Sequence, residues 1–256
     1  RGVFVYPWEG TTVIGTTDLD HDEDIDLEAS ISEQEVDYLL KAFNSQFPKN
    51  ALNRSDVLST WAGVRPVIGA EKSKDPSKER RDHAVWSDNG LITVSGGKLT
   101  TFRLIALDAL LAAKDNLPAA KEYHDDRMFL TPEVSAESLS PKNSSWGQRL
   151  LGRYGEKAID LVNGSSPNEQ NNLNETEFSL AECLWAIKYE AVEHLDDLLL
   201  RRTRLGMCLS NGGTELYPPL KEMFLNNLSW DEERWQKEVD RYEKIWKNHY
   251  SLPAQT

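Results

Sequence analysis

The stretch that most constrains this chain is Leu91–Arg103, LITVSGGKLTTFR, where a strand-like apolar run meets two glycines and gives way at once to a helical pattern. Paired glycines allow a sharp turn and let a ligand approach main-chain N–H groups without a Cβ in the way. The helix behind them presents unpaired N–H groups and the positive end of its dipole to whatever lies beyond the turn. An anionic or electron-rich group is stabilised at such a place, and Lys98 adds a full positive charge there. Two readings are open. The turn cradles a cofactor, or the glycines serve only to pack helix against strand.

The first part of the chain alternates strand and helix signals. Val3–Tyr6 and Thr12–Thr16 are β-rich runs around Pro7-Trp8-Glu9-Gly10, which predicts a hairpin. The acidic stretch from Asp18 to Glu28 lacks the glycine and final glutamate of an EF-hand loop, having Glu23 and Ala29 in those places, so it reads as solvated loop. Ser32 and Glu35 form a capping box for a helix with Val36, Leu39, Leu40 and Phe43 on one face, closed by Pro48. Asp56–Val64 reads as strand and Lys72–Arg81 as a charged loop. His83–Trp86 and Leu91–Val94 form a second hairpin around Asp88-Asn89-Gly90. Leu99–Lys114 reads as a long helix, apolar at Phe102, Ile105, Ala106, Ala109 and Leu110.

Pro118, Pro132, Pro141 and a Ser/Asn cluster near Ser144 then describe a linker with one short embedded element. Beyond it the signals are helical. Ser179 and Glu182 cap Leu180–Glu193, Leu195–Arg204 continues in helical fashion, and Ser229 opens a last helix. On that helix Trp235, Val239, Tyr242, Trp246 and His249 recur at helical spacing, a stripe read as core packing. The expected architecture is an α+β N-terminal part, 1–117, a linker, 118–145, and an all-α C-terminal domain, 146–256.

Composition limits the function. A net charge of −13, from 29 Lys and Arg against 42 Asp and Glu, argues against a nucleic-acid partner, whose binding needs basic surface. Cys183 and Cys208 have neither metal nor redox spacing and read as small core residues. No His/Cys/Asp cluster has ligand spacing, so no metal is expected. No apolar run approaches the roughly 18 residues of a membrane span, and no G-x-G-x-x-G follows a strand. The chain opens on Arg1 and runs almost at once into a strand, so it reads as a piece of something longer. Arg65 closes a strand-like run before Pro66, and Arg81 precedes Asp82-His83 at the start of another. Together with Lys98 they are candidates for an anion pocket, since guanidinium recognises phosphate and carboxylate by paired hydrogen bonds. The alternative is ordinary surface ion pairs. His83 is the histidine nearest these candidates, and Arg201, Arg202 and Arg204 form a basic cluster read as solvated or ion-paired.

The segments VFVYPWEGTTVIGTTD (Val3–Asp18), STWAGVRPV (Ser59–Val67), RRDHAV (Arg80–Val85) and SGGKLTTFR (Ser95–Arg103) resemble the second half of the FAD-dependent glycerol-3-phosphate dehydrogenases. WGQRLLGRYG (Trp146–Gly155) and LLLRRTRLG (Leu198–Gly206) resemble the same family's C-terminal domain. The resemblance implies oxidation of sn-glycerol 3-phosphate to dihydroxyacetone phosphate, with electrons passing through FAD to quinone at a membrane surface. It implies a cytoplasmic protein peripheral to the membrane, with a homo-oligomer allowed. It places Gly96, Gly97, Leu99 and Thr100 on the flavin side and Arg65, Arg81 and Lys98 at the substrate phosphate or close to the reacting centre. The family's N-terminal FAD-binding segment, and the segment holding its candidate catalytic histidine, have no counterpart in this sequence. No catalytic residue is therefore assigned, and the chain alone is expected neither to hold FAD nor to turn over substrate. The oxidase branch of the family, an amino-acid oxidase of related fold and a non-catalytic helical interaction module stand as the other readings. The module's motivation is the aromatic-rich end with Trp230, Trp235 and Trp246. A surface that meets the absent segment would leave apolar side chains exposed and favour self-association.

Overall fold

The computed structural model of this protein describes residues 2–65, 83–117, 134–139, 144–173 and 176–253. It is mostly helical, with two small antiparallel sheets. Two compact units are present, one formed by residues 1–17, 28–62 and 130–256, the other by 18–27 and 63–129. These units cut the chain differently from the expected division at 117 and 145, because the first hairpin and first helix gather with the helical half.

The first hairpin pairs β1 (Phe4–Trp8) with β2 (Thr11–Gly15), Phe4 opposite Gly15 and Trp8 opposite Thr11. The turn is two residues, Glu9 and Gly10, with φ of 48° and 79°. Positive φ at both positions matches the strands' right-handed twist. Helix α1 (Glu33–Gln46) begins at the expected capping box, with Ser32 N–H donating to Glu35 Oε2 at 2.9 Å and Glu35 N–H to Ser32 Oγ at 3.3 Å. Val36 is its buried residue. The strand expected over Asp56–Val64 is not formed. The segment is held by other bonds: Thr60 N–H donates to Tyr250 O at 2.7 Å, and the side-chain hydroxyls of Thr60 and Ser59 donate to Ser251 O at 3.0 Å and Met207 O at 2.8 Å. An apolar run becomes a strand only where a neighbouring strand supplies a ladder.

In the smaller unit β3 (His83–Asp88) pairs with β4 (Leu91–Gly96) around Asn89-Gly90, whose φ values are 49° and 84°. A tight 3₁₀ turn, Leu99–Thr101, leads into α2 (Phe102–Ala112), which packs on this hairpin. The long helix expected to Lys114 thus has a short 3₁₀ turn at its start, and another, Lys114–Asn116, behind its end. The charged loop expected at Lys72–Arg81 lies outside the described residues.

The helical half runs through α3 (Ala136–Leu139), α4 (Ser144–Tyr154), α5 (Lys157–Asn163), α6 (Leu180–Tyr189), a wide π-type turn (Asp197–Arg202), α7 (Leu205–Cys208), α8 (Tyr217–Asn227) and α9 (Glu232–Ile245). The Ser179–Glu182 box caps α6, which ends at Tyr189, short of the expected Glu193. The last helix is capped by Asp231, whose side chain accepts from Arg234 N–H at 2.8 Å; Ser229 is not the cap. One buried cluster joins α4, α5 and α6 through Trp146, Leu150, Leu161 and Ala181. A larger one centres on Phe178, Leu195, Leu198, Leu220, Phe224 and Tyr242. Trp235, Val239 and Tyr242 point into it, and Trp230 and Trp246 pack against it. The aromatic stripe is therefore core, which removes the feature that motivated an interaction-module reading. Cys183 and Cys208 are buried and free, as expected.

Among the described residues, large apolar side chains are left exposed almost entirely before residue 118, including Phe4, Tyr6, Trp61, Trp86, Leu99 and Leu111. In the helical half Tyr189 is the exposed one among the described residues.

Candidate functional site

The Gly-Gly turn shows its construction clearly. Strand β4 ends at Gly96, with φ of 78°, and Gly97 comes next at 90°. Both lie where residues with a Cβ are strained. A Cβ on Gly97 would stand 2.5 Å from Ile105 Cδ1 and 3.3 Å from His83 Cβ, so α2 packs hard against the turn. Packing thus accounts for Gly97. It does not account for Lys98, Leu99 and Thr100, which all face solvent, Leu99 being 88% exposed. Thr101 closes the turn by donating its N–H to Lys98 O at 2.9 Å and its Oγ1–H to the same oxygen at 3.0 Å. The result is a helix N-terminus with its open end outward and a lysine beside it.

His83 sits below this turn, opposite Gly96 in the ladder. Its Nε2 lies 2.7 Å from Asp108 Oδ2 on α2, a bond that orients the ring and ties strand to helix. Nothing in the sequence pattern singled out Asp108; a helix residue facing a strand 25 positions away has no local signature. Arg65 is half-exposed and forms an ion pair at 3.5 Å with Asp18, the residue that ends the motif of the first hairpin. Arg81 lies outside the described residues. Among the described residues no hydrogen bond or ion pair joins Arg65 to Lys98.

One group of possible metal ligands occurs among the described residues: His194, Asp196 and Glu238, with ligand atoms within 4.8 Å of one another. Its carboxylates are already engaged. Arg201 and Arg241 both bond Asp196, and Arg234 Nη2 lies 2.7 Å from Glu238 Oε1. The cluster is an ion-pair network in which arginines supply the positive charge. Arg201 from the basic cluster is thereby ion-paired, as expected.

What the Gly96–Thr100 turn offers chemically is a site for negative charge. The helix N-terminus and the exposed Lys98 favour a group that carries negative charge, whereas the space a Gly97 Cβ would take is already filled by Ile105 and His83. The described residues contain no phosphate cradle for the rest of a dinucleotide.

Two family models match the chain. One, described as "FAD dependent oxidoreductase", matches residues 1–103, and the other, described as "C-terminal domain of alpha-glycerophosphate oxidase", matches residues 120–235. Among curated relatives, the mitochondrial glycerol-3-phosphate dehydrogenase of Mus musculus is 29% identical over 94% of this chain and 35% of its own length. The aerobic glycerol-3-phosphate dehydrogenase of Bacillus subtilis is 29% identical over 96% of this chain and 48% of its own. Glycerol-3-phosphate dehydrogenase 2 of Mycobacterium tuberculosis is 31% identical over 94% and 43%. Among solved structures, the Bacillus halodurans glycerol-3-phosphate dehydrogenase complexed with FAD aligns with a TM-score of 0.68 at 26% identity, over 96% of this chain and 50% of that one. The chain spans between about a third and a half of the length of these relatives.

Proposed function

We propose that this chain, which belongs to the family of FAD-dependent glycerol-3-phosphate dehydrogenases, supplies the substrate-facing α+β part and the all-α C-terminal domain of such an enzyme. The reaction is oxidation of sn-glycerol 3-phosphate to dihydroxyacetone phosphate. FAD, when bound, supplies the two-electron acceptor for that oxidation. Gly96, Gly97, Leu99 and Thr100 hold its flavin edge, and Lys98, Arg65 and Arg81 hold the substrate phosphate. The phosphate lies away from the carbon that reacts, so binding it fixes the orientation of that carbon. Asp18 keeps the Arg65 guanidinium in place, and Asp108 does the same for the His83 ring under the turn. No catalytic base is assigned to these residues.

The observation that carries this reading is the solvent-facing Lys98–Thr100 turn at a helix N-terminus, directly after Gly96-Gly97 and within the stretch that matches the FAD oxidoreductase family. The test is glycerol-3-phosphate-dependent dye reduction by the full-length protein containing this chain, comparing wild type with Lys98→Ala and Arg65→Ala. Loss of a charge-assisted phosphate contact lowers kcat/KM by roughly 10- to 100-fold with flavin retained. Unchanged kinetics in both variants overturn the assignment.

Electrons leave to quinone at a membrane surface, the protein being cytoplasmic and peripheral. No helix among the described residues is long and apolar enough to cross a membrane. The oxidase reading has its own support in the match of residues 120–235 to the C-terminal domain of alpha-glycerophosphate oxidase. Oxygen consumption during turnover separates the two. The 256 residues alone contain no strand–G-x-G-x-x-G–helix unit and are expected not to retain FAD. Flavin absorbance near stoichiometric in the purified chain contradicts this.

A further inference from the structure

We infer that the groove where α5 and α6 end is a docking site for an arginine-bearing segment of a partner protein. It is an open groove of about 780 Å³, and Tyr154, Trp185 and Tyr189 supply its aromatic lining. Tyr189 is 66% exposed and is the large apolar side chain that the helical half leaves in solvent among the described residues. It lies one helical turn beyond Trp185, with ring centroids 4.4 Å apart and planes tilted by 45°, so the pair forms an open wedge. Tyr154 meets Trp185 edge-on at 6.3 Å and 71°. Its hydroxyl donates to the buried Glu182 at 3.3 Å, which holds the ring in place.

The groove's electrostatics select the ligand. Aromatic faces are electron-rich and attract cations, Trp most of all. Asp160 and Glu190 add two carboxylates to the lining. Helix α5 ends at Asn163 and α6 at Tyr189, so both present their negative dipole ends here. Burial, then the Glu182 charge, raises the Tyr154 hydroxyl well above the ordinary tyrosine value despite the opposing Arg153 and Arg149 charges, so the ring stays neutral. Among the described residues the opposing charge in the lining is Lys157, whose Nζ stands 3.6 Å from Asp160 and is mostly solvated. A guanidinium fits better than an ammonium, because it is planar, stacks on rings and donates in pairs to a carboxylate. The volume far exceeds one guanidinium, which indicates a peptide segment rather than a free small cation. The chain's net charge of −13 draws a basic partner toward it from a distance.

The test is calorimetric titration of the purified protein with a capped tetra-arginine peptide at physiological ionic strength, tetralysine serving as the equal-charge comparator. Tetra-arginine binds more tightly than tetralysine. Tyr189→Ala and Asp160→Asn each weaken binding by roughly 5- to 20-fold, the size of a partly desolvated cation–π or charge contact. Lys157→Met, which removes the competing cation, tightens it. Asp26→Asn, the same charge change on the acidic loop before α1, leaves it unchanged. The proposal is overturned if Asp26→Asn weakens binding as much as Asp160→Asn, if Tyr189→Ala is neutral, or if Lys157→Met weakens it. Binding of tetramethylammonium as tight as that of the peptide makes this a small-cation site and overturns the docking role. Tyr189 and Asp160 are exposed, and thermal melts of their variants verify that the fold is intact.

Discussion

Glu9, at the tip of the first hairpin, and Arg149, on α4 and 140 residues later, face each other through paired hydrogen bonds, Nε to Oε2 at 3.2 Å and Nη2 to Oε1 at 3.2 Å. Arg149 also bonds the fully buried Glu182, and Arg153 Nη1 reaches Glu9 Oε1 at 3.0 Å. Both guanidinium groups lie over the Phe178 ring, at 4.3 and 4.7 Å from its centroid. Two arginines and two glutamates thus balance within a largely desolvated cluster. Removing one charge leaves the rest uncompensated. Glu9→Gln is expected to lower unfolding free energy by about 3 kcal/mol, measured by urea denaturation. A loss under about 1 kcal/mol would show that water screens the cluster.

Glu35 predicts an acid dependence. Burial pushes its carboxyl up, but hydrogen bonds from Thr17 Oγ1 at 2.5 Å and from the Ser32 N–H and hydroxyl outweigh this and bring it below the usual value. A carboxyl held lower in the folded chain than in the unfolded one stabilises fully above its unfolded pKa. That contribution disappears as pH falls through the folded value. The stability gap between wild type and Glu35→Gln is therefore expected to be wide near about pH 7 and to close toward about pH 3. A gap constant with pH would rule out the carboxylate as its source.

The thiols should be silent. Burial, then the nearby Glu9 charge, pushes Cys208 up to about 11, and complete burial raises Cys183 as well. Only the thiolate reacts at a useful rate. Titration with a disulfide reagent at mildly alkaline pH is expected to label neither cysteine until urea unfolds the chain, when both of the two react. Fast native labelling of either would contradict the buried placement.

Gly90 and Gly97, two turn glycines of the smaller unit, separate backbone strain from packing. Gly90 has φ of 84° with open space around it, whereas Gly97, at 90°, has Ile105 Cδ1 where a Cβ would go. Gly90→Ala incurs only the strain of a left-handed backbone, about 1–2 kcal/mol. Gly97→Ala adds a clash, which in packed interiors costs about 1–3 kcal/mol more. Adding Ile105→Ala to Gly97→Ala is expected to reduce the clash part and leave the strain. Equal melting temperatures for Gly90→Ala and Gly97→Ala would show that α2 shifts freely.

The capping boxes at Ser32–Glu35 and Ser179–Glu182 and the turns at Glu9-Gly10 and Asn89-Gly90 were legible because each is settled within four residues. The Gly96–Lys98 turn was legible for the same reason. The strand expected over Asp56–Val64 failed because its bonding partners, Tyr250 and Ser251, come from the far end of the chain. Asp231 displaced Ser229 as cap because both are good caps and only the helix's packing chooses between them.

At the candidate site, the sequence by itself determined the chemistry on offer: two glycines before a helix, a lysine beside them, arginines upstream. Backbone freedom and side-chain charge are local properties, and they carry over from chain to fold unchanged. Only the tertiary structure decided which carboxylates meet those cations and that histidine. Asp18 meets Arg65 across 47 residues and Asp108 meets His83 across 25. The cluster of Glu9 with Arg149 and the edge-on contact of Tyr154 on α4 with Trp185 on α6 likewise required the helices to pack. Ion pairs and ring contacts depend on distances of a few ångströms between distant segments, and those distances exist only once the apolar faces have been buried together.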